Sequence, residues 1–262
     1  MKTNTVKALW AKGEKAINGW LSIGNSFSAE AMAAQGFDCL TVDLQHGVID
    51  YATAVHMFQA MGASGVMPMA RIPYLSPSEV TRVLDAGAMG LICPMINTRA
   101  DAEALVSYSR YAPNGTRSFG PTRATISAGP GYDANAEDEL ICLAMVETAE
   151  AMNNLDDICA TPGLDGVYVG PSDLTLALTG RRYRVGFDRE EPEIIEAIRN
   201  ILSAARRHGI KAGLHTGSAA YAARAIEWGF DLVTAATDVR LLAESAKLTV
   251  QALRAAQKKP SA

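Results

Sequence analysis

Several features that mark common protein classes are missing from this sequence. The 24 Lys and Arg residues are outnumbered by 28 Asp and Glu residues, for a net charge of −4, whereas nucleic-acid-binding proteins usually present a basic surface. No apolar run is long enough to cross a bilayer, and residues 1–20 lack the apolar core and small-residue cleavage site of a secretory signal. We therefore expect a cytoplasmic protein that acts on small molecules and binds neither nucleic acid nor a membrane.

Disulfide, zinc and dinucleotide signatures are missing as well. The cysteines have no CxxC spacing, and three of the four lie in apolar runs, which suits buried thiols. No HxxH or HExxH pattern points to zinc. The segment SIGNSFSAE, which follows the first predicted strand, contains one glycine, whereas the dinucleotide-binding motif GxGxxG needs three.

Short apolar runs alternate with amphipathic, alanine-rich segments along the chain. The runs are too short for helices and nearly all apolar, which is typical of strands covered by helices, and they occupy residues 19–24, 38–44, 65–72, 90–96, 141–147, 166–171, 211–216 and 231–237. Helices are predicted over 28–35, 51–62, 77–86, 98–110, 148–160, 190–208, 218–228 and 239–257, after a lead-in helix over 1–18. This order predicts one α/β domain over 1–262, a (β/α)8 TIM barrel, with a doubly wound open sheet as the alternative.

Residues 111–140 interrupt this alternation with a long segment that we predict to be irregular. Because the segment precedes the fifth strand, it should begin on the face opposite the active site. Two interpretations stay open: a plain surface loop, or a segment that serves a neighbouring subunit through Arg117 and Arg123.

Polar side chains gather at the carboxyl ends of the predicted strands, where barrel enzymes place their active sites. They are Asp43, Gln45 and His46 after the second strand, Arg71 after the third, Glu147 after the fifth, Asp173 after the sixth and His215 after the seventh. Any one of them could be an ordinary hydrogen-bonded strand end. Together they predict a catalytic site at this rim.

The residue types at the rim indicate metal-assisted chemistry. Glu147 and Asp173 offer hard oxygen ligands for a cation such as Mg²⁺ or Mn²⁺, and leave positions for water and a chelating substrate. Arg71 can stabilise developing negative charge, and His46 can move protons near neutral pH. The lysines lie at 2, 7, 12, 15, 211, 247, 258 and 259. Seven of them lie outside the predicted strands, and Lys211 begins the seventh strand and so lies at the end opposite the active site, which disfavours Schiff-base catalysis.

Five segments form a recognisable set: GFDCLTVDLQHG (36–47), MARIPYLSPSEVTRVLDAGAMGLICPMINT (69–98), RYAPNGTRSFG (110–120), VETAEAMNNLDDI (146–158) and GLDGVYVGPSDL (163–174). Together they resemble the HpcH/HpaI family of metal-dependent, class II pyruvate aldolases, which includes 4-hydroxy-2-oxoheptanedioate aldolase and 2-dehydro-3-deoxyglucarate aldolase. The resemblance covers residues 20–255, roughly. It implies a phosphoenolpyruvate/pyruvate-type barrel that takes part in aromatic or sugar-acid catabolism and forms a homo-oligomer, specifically a hexamer.

The resemblance also implies a role for each residue. By resemblance, His46 is the base, Arg71 stabilises the enolate and Asp85 raises the basicity of the histidine. Glu147 and Asp173 are implied as ligands of Mg²⁺ or Mn²⁺, with Co²⁺ or Zn²⁺ possible. The backbone of Ser172 and Asp173 would bind the pyruvate carboxylate, and Asp43 would contact the aldehyde-side hydroxyl. The strand order places Asp85 near the opposite end of the barrel. Its role therefore needs a subunit contact or a less regular chain path.

The implied reaction is the reversible cleavage of a 4-hydroxy-2-oxo acid to pyruvate and an aldehyde, through a metal-stabilised pyruvate enolate. Gln45, Met145 and His215 depart from the family pattern; they leave the aldehyde undetermined, and His215 is expected to contact the substrate near the acceptor pocket. Two alternatives remain: a related decarboxylating or CoA-thioester lyase, and a non-catalytic barrel that binds oxo acids.

Overall fold

Eight parallel strands pair in chain order and close into a barrel, with β1 against β8. The computed structural model describes residues 1–257. The strands are β1 Ala16–Leu21, β2 Cys39–Asp43, β3 Met67–Arg71, β4 Gly90–Cys93, β5 Ile141–Val146, β6 Gly166–Val169, β7 Lys211–His215 and β8 Leu232–Thr237. The (β/α)8 TIM barrel is thereby confirmed, and the open sheet is wrong.

Thirteen helices surround or extend the barrel within residues 1–257. They are α1 Thr5–Ala11, α2 Ser26–Ala33, α3 Tyr51–Met61, α4 Pro77–Asp85, α5 Arg99–Ser109, α6 Thr122–Ala128, α7 Tyr132–Glu139, α8 Ala149–Asn153, α9 Leu155–Cys159, α10 Pro171–Thr179, α11 Pro192–Arg207, α12 Ala219–Trp228 and α13 Asp238–Gln257. None of them, in this part of the chain, is long and apolar enough to span a membrane.

The strands are buried on both faces, which explains their continuous apolar pattern. All six positions of β5 are buried, and α11 covers the barrel with an apolar face that includes Ile194, Ile198 and Ile201. The four cysteines, Cys39, Cys93, Cys142 and Cys159, are free and buried. Their thiols contribute to packing, as the sequence predicts.

The first element differs from the prediction in extent. The lead-in helix over 1–18 is limited to α1, because the Asn4 side chain accepts hydrogen bonds from the N–H groups of Val6 and Lys7 and fixes its start. Gly13, with φ of 77°, then turns the chain out of the helix. The residues that follow form β1, which begins three residues before the predicted strand.

The segment 111–140 is not structureless, because it contains α6 and α7. Arg117 is buried and forms an ion pair with Asp85 at 2.6 Å, and it also donates to the Tyr132 hydroxyl at 3.1 Å. Arg123 donates to the carbonyl of Ala86. Both predicted arginines therefore tie the segment to the amino-terminal end of their own barrel.

Helix α13 leaves the barrel after β8, and its bounds agree with the predicted 239–257 helix. From Arg240 to Gln257 every residue is exposed. Large apolar side chains are among them: Leu241, Leu242, Leu248, Val250 and Leu253. Lys258 and Lys259, and the other residues of the predicted 1–262 domain after Gln257, lie outside the described residues.

Candidate active site

Most of the polar strand ends meet in one cavity of about 330 Å³ at the carboxyl end of the barrel. Gln45 and Glu147 are not part of its lining, although Glu147 lies against Gly170, which is. Its lining includes Asp43, His46, Arg71, Ser172, Asp173 and His215. The lining groups come from different strands, and only the closed barrel brings them together. Within the described residues, no lysine lines this cavity.

Asp43 and Arg71 form the rigid centre of the cavity. They are register partners at the ends of β2 and β3, so the strand pairing itself places the two side chains side by side. Arg71 donates from Nε to Asp43 Oδ1 at 2.9 Å and from Nη2 to Oδ2 at 2.6 Å. Both residues are buried, and the two-point contact fixes the plane of the guanidinium.

Three further donors complete the hydrogen bonding of Asp43. Trp20 Nε1 donates to Oδ2 at 3.1 Å, and the backbone N–H groups of Gln45 and His46 donate to Oδ1 at 3.1 and 3.2 Å. Burial raises the pKa of Asp43, but the hydrogen bonds and charge of Arg71 outweigh burial, so the net pKa is lowered. Asp43 thus serves as an anionic anchor of Arg71, with both oxygens already engaged.

His46 lies on the turn that follows β2, with its side chain exposed to the cavity. Its backbone is held by Asp43, and Gly47 N–H donates to the Asp43 carbonyl at 3.2 Å. The neighbouring Gln45 has a buried Oε1 for which residues 1–257 provide no hydrogen-bond partner. The imidazole is therefore accessible on a well-fixed backbone, as a proton-transfer group requires.

Glu147 extends from the end of β5 and is buried, with a relative exposure of 3%. Its Oε1 accepts a hydrogen bond from Met95 N–H at 2.9 Å, and Met95 has an unusual φ of 57° for a non-glycine residue. Burial, together with the negative charge of Asp173, raises the pKa of Glu147 to about 7. The nearby Arg71 charge and the Met95 N–H group therefore do not offset the cost of burying this carboxylate in its ionised form.

Gly170 and Asp173 stand beside Glu147 at the start of α10. A Cβ on Gly170 would collide with Glu147 Oε2 and the Met145 side chain, so the residue must be glycine for the carboxylate to occupy this place. Asp173 lies in the first turn of α10 and is exposed toward the cavity. The two predicted ligands are therefore neighbours.

The donor set suits a hard divalent cation. Glu147 and Asp173 provide only oxygen ligands, and a nearby cation would relieve the electrostatic cost of burying Glu147. Across residues 1–257, no group of three or more His, Cys, Asp or Glu side chains could hold a metal ion. A cation bound here would keep open positions for substrate and water.

The amino-terminal turn of α10 offers a place for a carboxylate. Gly170 is its N-cap and Pro171 its first residue, and the N–H groups of Ser172 and Asp173 follow in the first turn. First-turn N–H groups have no acceptor within a helix, and the helix dipole favours an anion there. The predicted grip of Ser172 and Asp173 on a substrate carboxylate is compatible with this placement.

His215, the last residue of β7, forms part of the cavity wall. Its ring lies 4.7 Å from Trp20 and 4.4 Å from Phe187 between ring centroids, and its Nδ1 lies 3.2 Å from the Tyr168 hydroxyl. Burial and the positive charge of Arg71 lower the pKa of His215 to about 3. The imidazole is therefore neutral at physiological pH.

Asp85 is the one predicted site residue that the barrel places elsewhere. It ends α4, at the amino-terminal end of the barrel, where it pairs with Arg117 instead of with His46 of the same chain. The expected support of the histidine base is therefore not made within one described chain. The helix-to-strand order predicts this position for Asp85.

Sequence reasoning missed seven lining residues: Trp20, Ser22, Gly170, Phe187, Thr237, Val239 and Arg240. Trp20 lies next to the end of β1, and a prediction with the correct end of that strand would have included it. Gly170 follows β6 directly, so the rule for strand ends covers it too. Phe187 lies between α10 and α11 in a segment with no motif.

The sequence was compared with known proteins. The family model described as HpcH/HpaI aldolase/citrate lyase matches residues 17–245. A hydroxypyruvate/pyruvate aldolase from Rhizorhabdus wittichii is 40% identical over 96% of this chain and 99% of its own. A 4-hydroxy-2-oxo-heptane-1,7-dioate aldolase from Salmonella dublin is 33% identical over 93% and 92%.

The fold comparison agrees with the sequence comparison. The crystal structure of a HpcH/HpaI aldolase/citrate lyase family protein from Burkholderia cenocepacia superposes with a TM-score of 0.88 at 31% identity. It covers 96% of this chain and 100% of that chain. The likeness of fold therefore extends over almost the whole chain.

Proposed function

The chain belongs to the HpcH/HpaI aldolase/citrate lyase family and is a carbon–carbon lyase that acts on oxo acids, and we propose that it is a divalent-metal-dependent aldolase. Its proposed reaction is the reversible cleavage of a 4-hydroxy-2-oxo acid to pyruvate and an aldehyde. One observation carries the proposal: the buried Glu147 carboxylate lies against Gly170, and Gly170 lines the same cavity as Asp173 and the Arg71–Asp43 pair.

Glu147 and Asp173 are the proposed protein ligands of the cation. Their oxygen atoms favour Mg²⁺ or Mn²⁺, and Co²⁺ or Zn²⁺ can also accept such ligands. When bound, the cation supplies Lewis acidity that polarises the 2-oxo group of the substrate. Gly170 keeps the space that Glu147 Oε2 needs for this role.

Arg71 is the proposed stabiliser of the charge that develops on the 2-oxo oxygen. Asp43 binds its Nε and Nη2, and its guanidinium carbon lies 4.9 Å from the centre of the Trp20 ring. A donor held in this way needs little reorganisation when negative charge appears, which is the condition for strong electrostatic catalysis.

His46 is the proposed general base. It accepts the proton of the C4 hydroxyl, the C3–C4 bond breaks, and the aldehyde leaves while the bonding electrons pass to the pyruvate enolate. Protonation of C3 then gives pyruvate, and the reverse sequence forms the bond. The accessible position of the His46 ring on the cavity wall supports this role.

The curated relatives support a choice of oxo acid. The Rhizorhabdus wittichii relative is named for hydroxypyruvate and pyruvate, and the Salmonella dublin relative for a longer 4-hydroxy-2-oxo diacid. We propose that pyruvate and hydroxypyruvate both serve as the enolate-forming partner. The aldehyde partner is considered in the next subsection.

Self-association is a further proposal. The exposed apolar side chains of α13, among them Leu242, Leu248 and Leu253, support a homo-oligomer, because several large apolar side chains exposed on one helix are a common mark of an interaction surface. The predicted hexamer would have a mass six times that of the 27.8 kDa chain. Light scattering after size-exclusion chromatography measures this mass.

The enzymatic proposal is tested with pyruvate in deuterated water. We expect C3–H exchange when Mg²⁺ or Mn²⁺ is present, loss of exchange in excess EDTA and recovery on metal addition. Glu147→Gln should lower Mn²⁺ affinity about 10- to 100-fold, measured by isothermal titration calorimetry. Glu103→Gln is the control, since Glu103 is exposed and pairs only with Arg99 among the described residues. Full exchange in EDTA, or equal Mn²⁺ affinity of the two variants, refutes the metal-dependent mechanism.

A further inference from the structure

His215 carries a buried polar atom that is not satisfied by any group in residues 1–257. This atom is the ring nitrogen Nε2. The residue is 5% exposed and lines the active-site cavity. Buried side-chain polar atoms without a partner are rare in folded proteins, and one at a cavity wall is available to a ligand. Whether Nε2 donates or accepts a hydrogen bond decides which ligand it fits.

A chain of hydrogen bonds inside the barrel determines this property. His215 Nδ1 lies 3.2 Å from the Tyr168 hydroxyl, and that hydroxyl lies 2.5 Å from Thr234 Oγ1. The Asn18 side chain lies 2.8 Å from Thr234 Oγ1. Each hydroxyl has a single proton to donate, so the direction of one bond fixes the direction of the next.

Asn18 sets the direction of this chain. One atom of its side-chain amide lies 3.0 Å from the Gly19 carbonyl and 3.2 Å from the Cys39 carbonyl. Only the NH₂ group is favourable there, since the amide oxygen would face two other oxygens. The amide oxygen therefore points to Thr234 and accepts its hydroxyl proton.

The remaining bonds follow from proton counting. Because Thr234 donates to Asn18, it accepts from the Tyr168 hydroxyl. Tyr168 has then used its proton, so it accepts from Nδ1–H of His215. The ring is neutral, since burial and the charge of Arg71 lower the pKa of His215 to about 3. Nε2 is thus left without a proton, and its lone pair has no partner among residues 1–257 on a ring that lines the cavity.

The position of His215 indicates which half of the substrate it meets. The Trp20 ring lies 4.7 Å from the His215 ring and 4.9 Å from the guanidinium carbon of Arg71, so His215 and Arg71 both pack against Trp20. Glu147, by contrast, lies against Gly170 at the start of α10. With the oxo acid held at Glu147 and Asp173, we place the rest of the substrate beyond Arg71, on the side of Trp20 and His215.

We propose that His215 Nε2 is a specificity-determining acceptor for a hydroxyl group on the aldehyde-derived half of the substrate. This inference rests on the proposed aldolase function and assigns the aldehyde to the hydroxyaldehydes. A hydroxyl donates to the lone pair, whereas an alkyl group leaves Nε2 desolvated and unpaired and a carboxylate is repelled by it. Trp20 and Phe187, which contact the ring, limit the access of water to this bond.

The first test reads the tautomer without substrate. The sequence has four histidines, so ¹⁵N-labelled histidine gives few ring signals, and His215→Phe assigns those of His215 by their loss. We expect the pattern of a neutral ring that is protonated at Nδ1. In Thr234→Val the Tyr168 hydroxyl loses its acceptor and should donate to Nδ1 instead, which moves the ring proton to Nε2. A wild-type ring protonated at Nε2 overturns the proposal.

The second test uses two aldehydes of nearly equal size, glycolaldehyde and propionaldehyde, with pyruvate as the partner. The ratio of kcat/KM for glycolaldehyde to kcat/KM for propionaldehyde should be about tenfold lower in His215→Phe than in the unmodified protein. Thr234→Val should lower the same ratio although residue 234 is absent from the cavity lining. An unchanged ratio in folded His215→Phe and Thr234→Val overturns the proposal.

The design separates this inference from the aldolase proposal. If the unmodified protein exchanges the pyruvate C3 protons normally but shows no preference for glycolaldehyde over propionaldehyde, only the role of His215 is contradicted. Absence of that exchange at any metal contradicts the aldolase function. The tautomer spectrum then still decides the assignment of Nε2, because it is recorded on the protein alone.

Discussion

Replacement of Asp43 by asparagine tests the central ion pair of the site. The substitution keeps the shape of the side chain but removes its charge, and it replaces one acceptor oxygen with an NH₂ group. Asp43 Oδ1 accepts from Arg71 Nε and the N–H groups of Gln45 and His46, and Oδ2 accepts from Arg71 Nη2 and Trp20. Whichever way the amide turns, its NH₂ group faces at least two donors.

The expected loss of stability follows from burial. Asp43 is 2% exposed and Arg71 is 9% exposed, so the guanidinium loses its counter-charge where water cannot replace it. Breaking such a buried pair costs about 3–5 kcal/mol of unfolding free energy. Because Arg71 is then free to leave its place, we also expect kcat/KM for the aldol reaction to fall about 100-fold.

Urea unfolding followed by circular dichroism measures the stability of Asp43→Asn. Asp50→Asn is the matched control, since Asp50 caps α3 by accepting from Thr53 N–H at 2.7 Å and asparagine caps a helix equally well. The control should change stability by less than about 0.5 kcal/mol. If Asp43→Asn loses less than about 1 kcal/mol, the reasoning from the buried pair is refuted.

Two further predictions concern the neighbouring parts of the cavity. Gly170→Ala should lower Mn²⁺ affinity at least about tenfold in calorimetry, because the new methyl group displaces Glu147; Gly120→Ala, with nothing within 4 Å of its Cβ, is the control, and equal affinities would contradict the prediction. The unfolding free energy should fall as the pH drops from about 6.5 toward 3, by about 1.4 kcal/mol per pH unit from His215, because the unfolded chain takes up the proton first. His215→Phe should lack this part of the slope between pH 6 and 5, and parallel slopes would show that the buried ring is not neutral.

Strand ends were the part of the site that the sequence could predict. Asp43, Arg71 and Glu147 follow short apolar runs, and in a barrel the carboxyl ends of all strands face the same side. The alternation of short apolar runs with amphipathic segments therefore predicted both the barrel and the closeness of these three residues. β1 was placed three residues too late, because Ala16–Asn18 do not form an apolar run, and Trp20 was missed with it.

Contacts between distant segments were beyond the sequence. The 111–140 region has many glycines and polar residues, which predicted a loop, whereas the buried contacts of Arg117 with Asp85 and Tyr132 accompany two short helices. The tautomer of His215 depends on Tyr168, Thr234 and Asn18, which lie on three other strands. No local pattern encodes a hydrogen-bond direction that passes through four strands.

The pairing of β2 with β3 has a consequence for how the site can diversify. Asp43 and Arg71 are brought together by strand register alone, so the charge-stabilising centre is inherited with the sheet. Other lining residues, among them His215, Phe187 and Arg240, come from β7, α13 and the segment before α11. On the proposed mechanism, mutations at these positions alter the choice of aldehyde while the register of β2 and β3 preserves the reaction, which gives the barrel room to evolve new substrates without loss of its chemistry.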